Sequence, residues 1–202
     1  MTIRTPLADL AADAVDALTG ARWAIAAAAD HVPACPGLYA IYGDEPAWRD
    51  IELEAATDGP LYVGKAEESL ISRDLHGHFA TNPKSKPRTG GSTVRRSFAA
   101  LLRDTLDLHA VPRNLAKPER FANFSLAEGG DERLNEWMHA RLTLALWPAP
   151  EDLAVPLGDI ETVVIHHFAP PINLDKNPAK LARLSQARAA MAAEASRWTQ
   201  DA

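Results

Sequence analysis

The sequence predicts a small mixed α/β domain of the α+β type, with a short antiparallel three-stranded sheet flanked by helices. Two runs of β-prone residues, 37–42 and 61–65, are separated by an acidic stretch that contains Pro and Gly, which indicates strands joined by a long hairpin loop. A third run, 142–147, is ended by Pro148. The other apolar residues recur at helical spacing, and these observations together define the fold class.

The predicted helices carry apolar residues at intervals of three and four, and most end close to Pro or Gly. They cover residues 6–30, 69–79, 94–108, 131–140, 157–168 and 178–198. Thr93 is positioned to cap the third helix, whose Arg95, Arg96 and Arg103 we expect to remain outside the core. The preceding stretch, 82–92, has two Pro, two Gly and three cations, which predicts a flexible basic loop.

The length and composition of the chain restrict its class. With 202 residues and 47% hydrophobic content, it is long enough for one compact domain with a sizeable core. The single Cys35 cannot form an internal disulfide, and residues 1–6 lack the charged-then-apolar order of a signal peptide, so we expect the reducing cytoplasm. The longest apolar run, 23–29, is too short to span a bilayer, so we expect no membrane partner.

The net charge of −6 is distributed unevenly along the chain. Residues 1–60 hold three Lys or Arg and ten Asp or Glu, a net of −7. Residues 61–120 hold eleven against six, a net of +5, and residues 121–202 hold seven against eleven, a net of −4. The positive charge is therefore concentrated in the middle third. A local patch of this kind, rather than the overall charge, is what phosphate binding needs.

Glu161 occupies a position that the helical pattern reserves for burial. Its neighbours three, four and seven residues away are Leu157, Val164, Ile165 and Phe168. An ionised carboxylate there needs a partner, which a metal ion, an arginine or the mouth of a cleft would supply. A glutamate at the edge of the helix that reaches water is an equally good alternative, and the pattern alone leaves both open.

Two tyrosine motifs are followed by an arginine, a glutamate and an asparagine in a fixed order. They are Gly37-Leu38-Tyr39, Tyr62-Val63-Gly64, Arg73, Glu161 and Pro170-Pro171-Ile172-Asn173. Tyrosines in a hairpin are, on their own, usually packing residues. The ordered set, however, resembles the GIY-YIG nuclease family, including its excision-repair and restriction-endonuclease branches, over residues 36–80 and 142–177.

The resemblance implies a metal-dependent endonuclease, with a role for each matching position. Tyr39 matches the tyrosine proposed to activate or position the attacking water, and Tyr62 matches its partner. Because the pKa of phenol is about 10, nearby cations would have to favour phenolate. Arg73 matches the arginine that contacts the scissile phosphate, a task that suits its permanently charged planar fork. Glu161 matches the single ligand of Mg²⁺ or Mn²⁺, and Asn173 matches a supporting residue.

Two departures from the family pattern affect the helix and the hairpin. Relatives often carry a histidine or tyrosine four residues after the arginine, where this sequence has Gly77. His76 shares an α-helical face with Arg73. His78 is followed by an aromatic residue and therefore better fits the family's pairing of a histidine with a hydrophobic residue, if the helix is irregular around Gly77. We favour His78 and keep His76 as the alternative. The spacer between residues 42 and 61 is longer than usual, and its six acidic residues would repel DNA unless it faces away or acts as a lid.

A basic segment between the motif regions has no counterpart in the family pattern. We therefore expect an N-terminal helical extension at 1–32, a nuclease-like core at 33–177 with a basic helical insertion at about 83–130, and a C-terminal helix at 178–202.

Several cations in this region are candidate nucleic-acid contacts. The favoured ones are Lys65, Arg88, Arg95 and Arg96. The three arginines of this set could form a phosphate-tracking surface with four further cations, which are Arg103, Arg113, Lys117 and Arg120. Ordinary solvated cations on a helix face are an equal alternative.

The leading hypothesis is a metal-dependent endonuclease that hydrolyses DNA phosphodiester bonds by a GIY-YIG mechanism. The alternative is a noncatalytic nucleic-acid-binding module that retains the fold. It is motivated by the net negative charge of the chain and by the histidine that does not stand four residues after Arg73. A structural subunit whose terminal helices recruit a partner is a third. The sequence leaves open the choice of DNA or RNA, the strandedness of the substrate, the restriction, repair or mobile-element role, and the state as monomer or homodimer.

Overall fold

The fold is built around one antiparallel sheet. The computed structural model describes residues 6–54, 59–81, 88–114 and 116–198. In chain order its strands are β1 (Trp23–Ala24), β2 (Gly37–Gly43), β3 (Tyr62–Ala66), β4 (Ala110–Val111), β5 (Ser125–Leu126) and β6 (Leu142–Pro148). Four of them pair antiparallel in the order β1, β6, β2, β3, and β4 pairs with β5 in a separate ribbon.

Helices pack on both faces of this sheet. The α-helices are α1 (Pro6–Thr19), α2 (Glu45–Asp50), α3 (Thr93–Leu101), α4 (Gly130–Arg141), α5 (Leu157–Phe168) and α6 (Ala182–Arg197). Shorter 3₁₀ helices span Ile25–Asp30, Thr89–Gly91 and Pro118–Asn123, and a π-helix spans Ile71–His78. The predicted α+β class is confirmed. None of the helices in the described ranges has the length and apolarity needed to cross a membrane.

The alternation of side chains along β2 divides the core into two layers. Leu38, Ala40 and Tyr42 belong to the layer that packs against α1 and α5. Tyr39 and Ile41 point to the opposite layer, which also contains buried residues of the π-helix, α3 and α4. The sheet is therefore covered on both sides, and the motif tyrosine of β2 is directed towards the π-helix.

The predicted N-terminal helix of residues 6–30 is wrong as one continuous helix, because it is divided into α1, which ends at Thr19 before Gly20, and the 3₁₀ helix Ile25–Asp30. Between them the chain becomes extended, and Trp23 and Ala24 pair with β6. The physical reason is that the outer edge of β6 offers backbone groups that need partners, and this tertiary pairing overrides the helical pattern. The sheet consequently has four strands rather than the predicted three.

The connection between β2 and β3 contains a helix, where the sequence predicted a loop. Asp44 caps α2 by accepting a hydrogen bond from the Ala47 N–H at 2.7 Å, and Pro46 stands in the first turn. Trp48 of this helix is buried in the core. Asp58, one of the six acidic residues of the spacer, lies outside the described residues.

Asn173 completes the hydrogen bonding of β3, which is the outer strand beside β2. Its side-chain amide accepts from the Val63 N–H at 2.9 Å and donates to the Val63 carbonyl at 2.8 Å. The Ile172 N–H donates to the Leu61 carbonyl at 3.0 Å. The amide thus replaces a neighbouring strand at the edge of the sheet and fixes the backbone next to Tyr62.

Candidate active site

An open cavity of about 680 Å³ lies beside β3. Four residues singled out from the sequence line it, namely Tyr62, Lys65, Arg73 and Glu161. The π-helix, the turn before it and the segment after α5 contribute further polar residues, which are Glu67, Glu68, Ser69, Ser72, Asp175 and Lys176. Side chains from distant parts of the sequence therefore converge on one solvent-accessible surface.

The two motif tyrosines lie on the same face of neighbouring strands. Tyr39 is the ladder partner of Gly64, and the centroids of the Tyr39 and Tyr62 rings are 6.1 Å apart. A Cβ atom at Gly64 would lie 2.5 Å from the Tyr39 hydroxyl, so only glycine lets this phenol cross β3. Tyr39 is fully buried, whereas Tyr62 is partly exposed and lines the cavity.

The π-helix determines which histidine meets Tyr39. The Phe79 N–H donates to the Asp74 carbonyl at 2.9 Å, five residues back along the chain. This wider turn brings residues five apart to the same face, so His78 lies one turn after Arg73. His78 is buried, and its Nε2 atom is 2.8 Å from the Tyr39 hydroxyl. His76, the alternative, is exposed.

Ser92 lies on the other side of the His78 ring. The His78 Nδ1 atom is 2.7 Å from the Ser92 hydroxyl oxygen. That oxygen also accepts the Arg95 N–H at 3.1 Å, because Ser92, rather than the predicted Thr93, is the N-cap of α3. Sequence reasoning missed Ser92, although a serine next to a helix start is a cap signal.

Burial keeps this chain of groups uncharged. It lowers the pKa of His78 to about 3, and the positive charges of Arg73 and Arg95 act in the same direction. A neutral imidazole has one donor and one acceptor nitrogen. The His78 nitrogens contact the Tyr39 and Ser92 hydroxyls, so the ring donates one of these two hydrogen bonds and accepts the other.

Both phenols are held in their neutral form. The pKa of Tyr62 is raised to about 12, mainly by burial and also by the charge of Glu161, and Arg73 opposes this shift. Burial also raises the pKa of Tyr39, with additional contributions from Tyr62 and Asp74. Loss of a proton from either phenol therefore requires added positive charge in the cavity.

Asp74 is a buried carboxyl group that sequence reasoning missed. Among the described residues, neither of its carboxylate oxygens has a hydrogen-bond partner. Burial raises the pKa of Asp74 well above its ordinary range, and Arg73 opposes the shift only in part, which favours the protonated acid. No sequence signal separates it from a surface aspartate, because its burial depends on the π-helix.

Glu161 lies on the buried face of α5, in the position that the helical pattern indicated. Its side chain keeps 11% of its surface exposed at the cavity, and Oε2 accepts a hydrogen bond from Lys176 Nζ at 2.6 Å. Lys176 also donates to the Gly158 carbonyl at 3.0 Å. The carboxylate therefore has an ammonium partner, which nothing in the sequence pattern indicated.

The donor set fits a divalent cation that is bound by few protein ligands. Within the described ranges, no three His, Cys, Asp or Glu side chains form a cluster that could hold a metal ion. Glu161 and Asp175 nevertheless line the same cavity. Mg²⁺ keeps several water ligands and commonly uses one or two carboxylates together with substrate phosphates. Glu161 would hold such an ion in exchange for its contact with Lys176.

Arg95 and Arg96 are buried, so the prediction that they remain outside the core is wrong. Arg95 donates to the His78 carbonyl at 2.9 Å and to Asp131 Oδ1 at 3.1 Å, and Arg96 donates to the Gly90 carbonyl at 2.8 Å. The physical reason is that elements packed around α3 supply acceptors for both guanidinium groups. Arg95, which has no exposed surface, cannot touch a nucleic acid in this conformation.

Lys65 and Arg88, the other two candidate nucleic-acid contacts, are accessible. Lys65 lines the cavity and forms an ion pair with Glu67. Arg88 is exposed in the segment that leads to α3. Residues 82–87, which belong to the predicted basic loop, lie outside the described residues.

The depressed pKa of His78 predicts a loss of stability in acid. The folded value of about 3 lies below the ordinary value of 6.5, so the stabilising contribution is complete above about 6.5 and is lost as the pH falls towards 3. The unfolding free energy of the wild type, minus that of His78→Gln, should fall by up to about 1.4 kcal/mol per pH unit in this window. Urea denaturation between about pH 7 and pH 4 measures it. Parallel curves for the two proteins would contradict the prediction.

Comparison with known proteins identifies the family. The family model described as the GIY-YIG catalytic domain matches residues 47–190. This range includes the candidate residues Tyr62, Lys65, Arg73, His78, Glu161 and Asn173, and it begins after the strand that carries Tyr39. Searches of curated proteins and of solved structures gave no match. Because the matched range covers more than half of the chain, the protein belongs to the GIY-YIG family.

Proposed function

We propose that the protein is a metal-dependent endonuclease that hydrolyses phosphodiester bonds of DNA. Membership of the GIY-YIG family implies a nuclease-type function in general. The observation that carries the specific proposal is the convergence of Tyr62, Lys65, Arg73 and Glu161 on one open cavity. A phenol, two cations and a carboxylate are a sufficient set of groups for metal-assisted attack of water on a phosphate.

Each side chain has a role that follows from its position. Arg73 contacts the scissile phosphate and stabilises the negative charge that develops in the transition state. Lys65 adds positive charge to the same cavity. Tyr62, the phenol that faces the cavity, positions the attacking water. Tyr39 lies beneath it, with the two ring centroids 6.1 Å apart, and has no exposed surface, so we assign Tyr39 to the positioning of Tyr62 rather than to contact with the water.

Glu161, with Asp175 nearby, would hold Mg²⁺ or Mn²⁺. The bound ion would supply Lewis-acid stabilisation of phosphate oxygens and would cancel the carboxylate charge that raises the pKa of Tyr62. Lys176 would then lose its contact with the carboxylate and would remain at the cavity as a further cation.

Ser92 is a positioning residue in this account, because its hydroxyl fixes the His78 ring against Tyr39. Ser92→Ala should lower kcat by roughly tenfold, since a lost buried hydrogen bond costs about 1–3 kcal/mol. KM should change little, and Ser92→Thr should restore kcat. Single-turnover cleavage assays over a range of pH measure these effects.

A matched variant separates positioning from helix capping. Glycine is nearly as good an N-cap as serine but has no hydroxyl group, so Ser92→Gly should lose kcat as Ser92→Ala does while it keeps more of the stability. If Ser92→Gly cleaves like the wild type, the hydroxyl has no role in positioning His78.

A cleavage screen tests the proposed function. The wild-type chain is incubated with single-stranded, duplex and branched DNA and with RNA, in Mg²⁺, in Mn²⁺ and in a chelator. We expect endonucleolytic products from at least one DNA substrate in either metal and none with the chelator. Cleavage that persists in the chelator, or a preference for RNA alone, would contradict the proposal.

A noncatalytic nucleic-acid-binding module is the second candidate. Two observations favour it, namely the complete burial of Tyr39 and the ion pair that joins Glu161 to Lys176. In the same screen it predicts binding that does not need a divalent cation, with no turnover on any substrate.

A further inference from the structure

A second depression, separate from the candidate active site, is lined by cationic and amide side chains. Its volume is about 230 Å³, and its lining residues are Arg113, Asn114, Lys117, Arg120 and Asn123. These residues belong to the 3₁₀ helix Pro118–Asn123 and to the segment that precedes it, and this helix packs against α6. Among the described side chains, no carboxylate lines it. Three cations and two amides around one depression are suited to phosphate oxygens.

Arg113 connects this depression to the segment before α3. Its guanidinium donates to the Gly90 carbonyl at 2.9 Å, and Arg96 donates to the same carbonyl at 2.8 Å. Gly90 precedes Ser92, the residue that contacts His78, by only two positions. The guanidinium of Arg113 is therefore anchored to the backbone of the segment that leads to α3.

Arg188 belongs to α6, the helix that packs against both α3 and the 3₁₀ helix Pro118–Asn123. Tyr62 acts electrostatically on Arg188, and Arg188 in turn acts on Arg96. The pKa of Arg96 is lowered to about 10, mainly by burial and also by the positive charges of Arg188 and Arg113. The neighbouring positive charges of Arg96, Arg188 and Arg113 produce a positive field that a polyanion would stabilise.

We propose that Arg188, Arg113, Lys117 and Arg120 form a phosphate track, which carries the nucleic-acid backbone from the candidate active site to the second depression. The ligand is the run of sugar-phosphate groups that flanks the scissile bond. Arg96, which is nearly buried, contributes charge rather than contact. This inference rests on the proposed function, because the track is useful only if a nucleic acid occupies the first cavity.

The salt dependence of DNA binding tests the track. Binding of a labelled DNA duplex to the full chain is measured by fluorescence anisotropy in a chelator over a range of NaCl concentrations. Each lost phosphate contact should reduce the slope of log K against log salt by about 0.9, so Lys117→Gln/Arg120→Gln should reduce it by roughly 1–2. The same variant should lower kcat/KM for cleavage in proportion to the lost affinity.

A control variant removes two positive charges elsewhere. Arg49 and Arg141 are ion-paired with Glu45 and Asp44 near α2, so Arg49→Gln/Arg141→Gln should leave the slope unchanged. If both double variants reduce the slope equally, or neither does, the track is overturned while the proposed function stands. A wild-type chain that neither binds nor cleaves any nucleic acid would overturn both.

Discussion

Arg73→Gln should lower kcat for DNA cleavage by about 10²–10³-fold, which is the usual cost of removing one group that stabilises transition-state charge. Arg73 lies at the cavity and acts on both motif tyrosines, and its charge is the main factor that opposes the raised pKa of Tyr62. The variant therefore loses the phosphate contact and also makes the phenol harder to deprotonate. Single-turnover rates at saturating DNA measure the change in kcat.

Two controls define the role of Arg73. Arg73→Lys keeps the positive charge but not the planar fork, so its rate should lie between those of the wild type and Arg73→Gln. Arg49→Gln, which removes an exposed arginine of α2, should cleave like the wild type. A fully active Arg73→Gln protein would exclude Arg73 from the reaction, provided that its thermal unfolding shows the folded state.

Glu161→Gln should abolish most of the cleavage in Mg²⁺, with a loss of at least about 10²-fold, because a metal ion supplies several kcal/mol of charge stabilisation. The glutamine has nearly the same shape but no charge, so the loss isolates the carboxylate. The concentration of Mg²⁺ or Mn²⁺ needed for half-maximal activity should rise at the same time. Metal titrations of the cleavage rate measure both quantities.

Glu67→Gln is the matched control, since Glu67 also lines the cavity but is well exposed. It should change the metal requirement little. The removal of the Glu161 charge also leaves Lys176 without its partner, so thermal unfolding of each variant is compared with that of the wild type. Equal cleavage by wild type and Glu161→Gln at limiting Mg²⁺ would reject Glu161 as the metal ligand.

The sequence predicts the structure correctly where the local pattern and the tertiary structure agree. The runs around Tyr39 and Tyr62 are strands, and α5 buries Glu161 among apolar neighbours as its periodicity indicated. Short strands with aromatic residues and a helix that ends before two prolines are determined largely by nearby residues. Together with the π-helix that carries Arg73, these elements bring four of the candidate site residues to one cavity.

The sequence does not predict burial or ion pairing where these depend on residues that are distant along the chain. The helical pattern predicts a surface position for Arg95. The residue is nevertheless buried, because α4 and the π-helix supply hydrogen-bond acceptors that the sequence does not reveal. The ion pair between Glu161 and Lys176 likewise depends on how the chain turns after α5. The spacing from Arg73 to His78 looked irregular only because an α-helix was assumed. In a π-helix the two residues share a face.

The most direct test of the account is a double-mutant cycle on the single-turnover cleavage rate, with Arg73→Gln, Glu161→Gln and the combined variant. If the arginine and the metal ligand act on one phosphate in one step, their effects are not independent, and the combined variant should be no slower than the slower single variant. If the two losses multiply, the side chains act independently, and the claim that they share one reaction centre is contradicted.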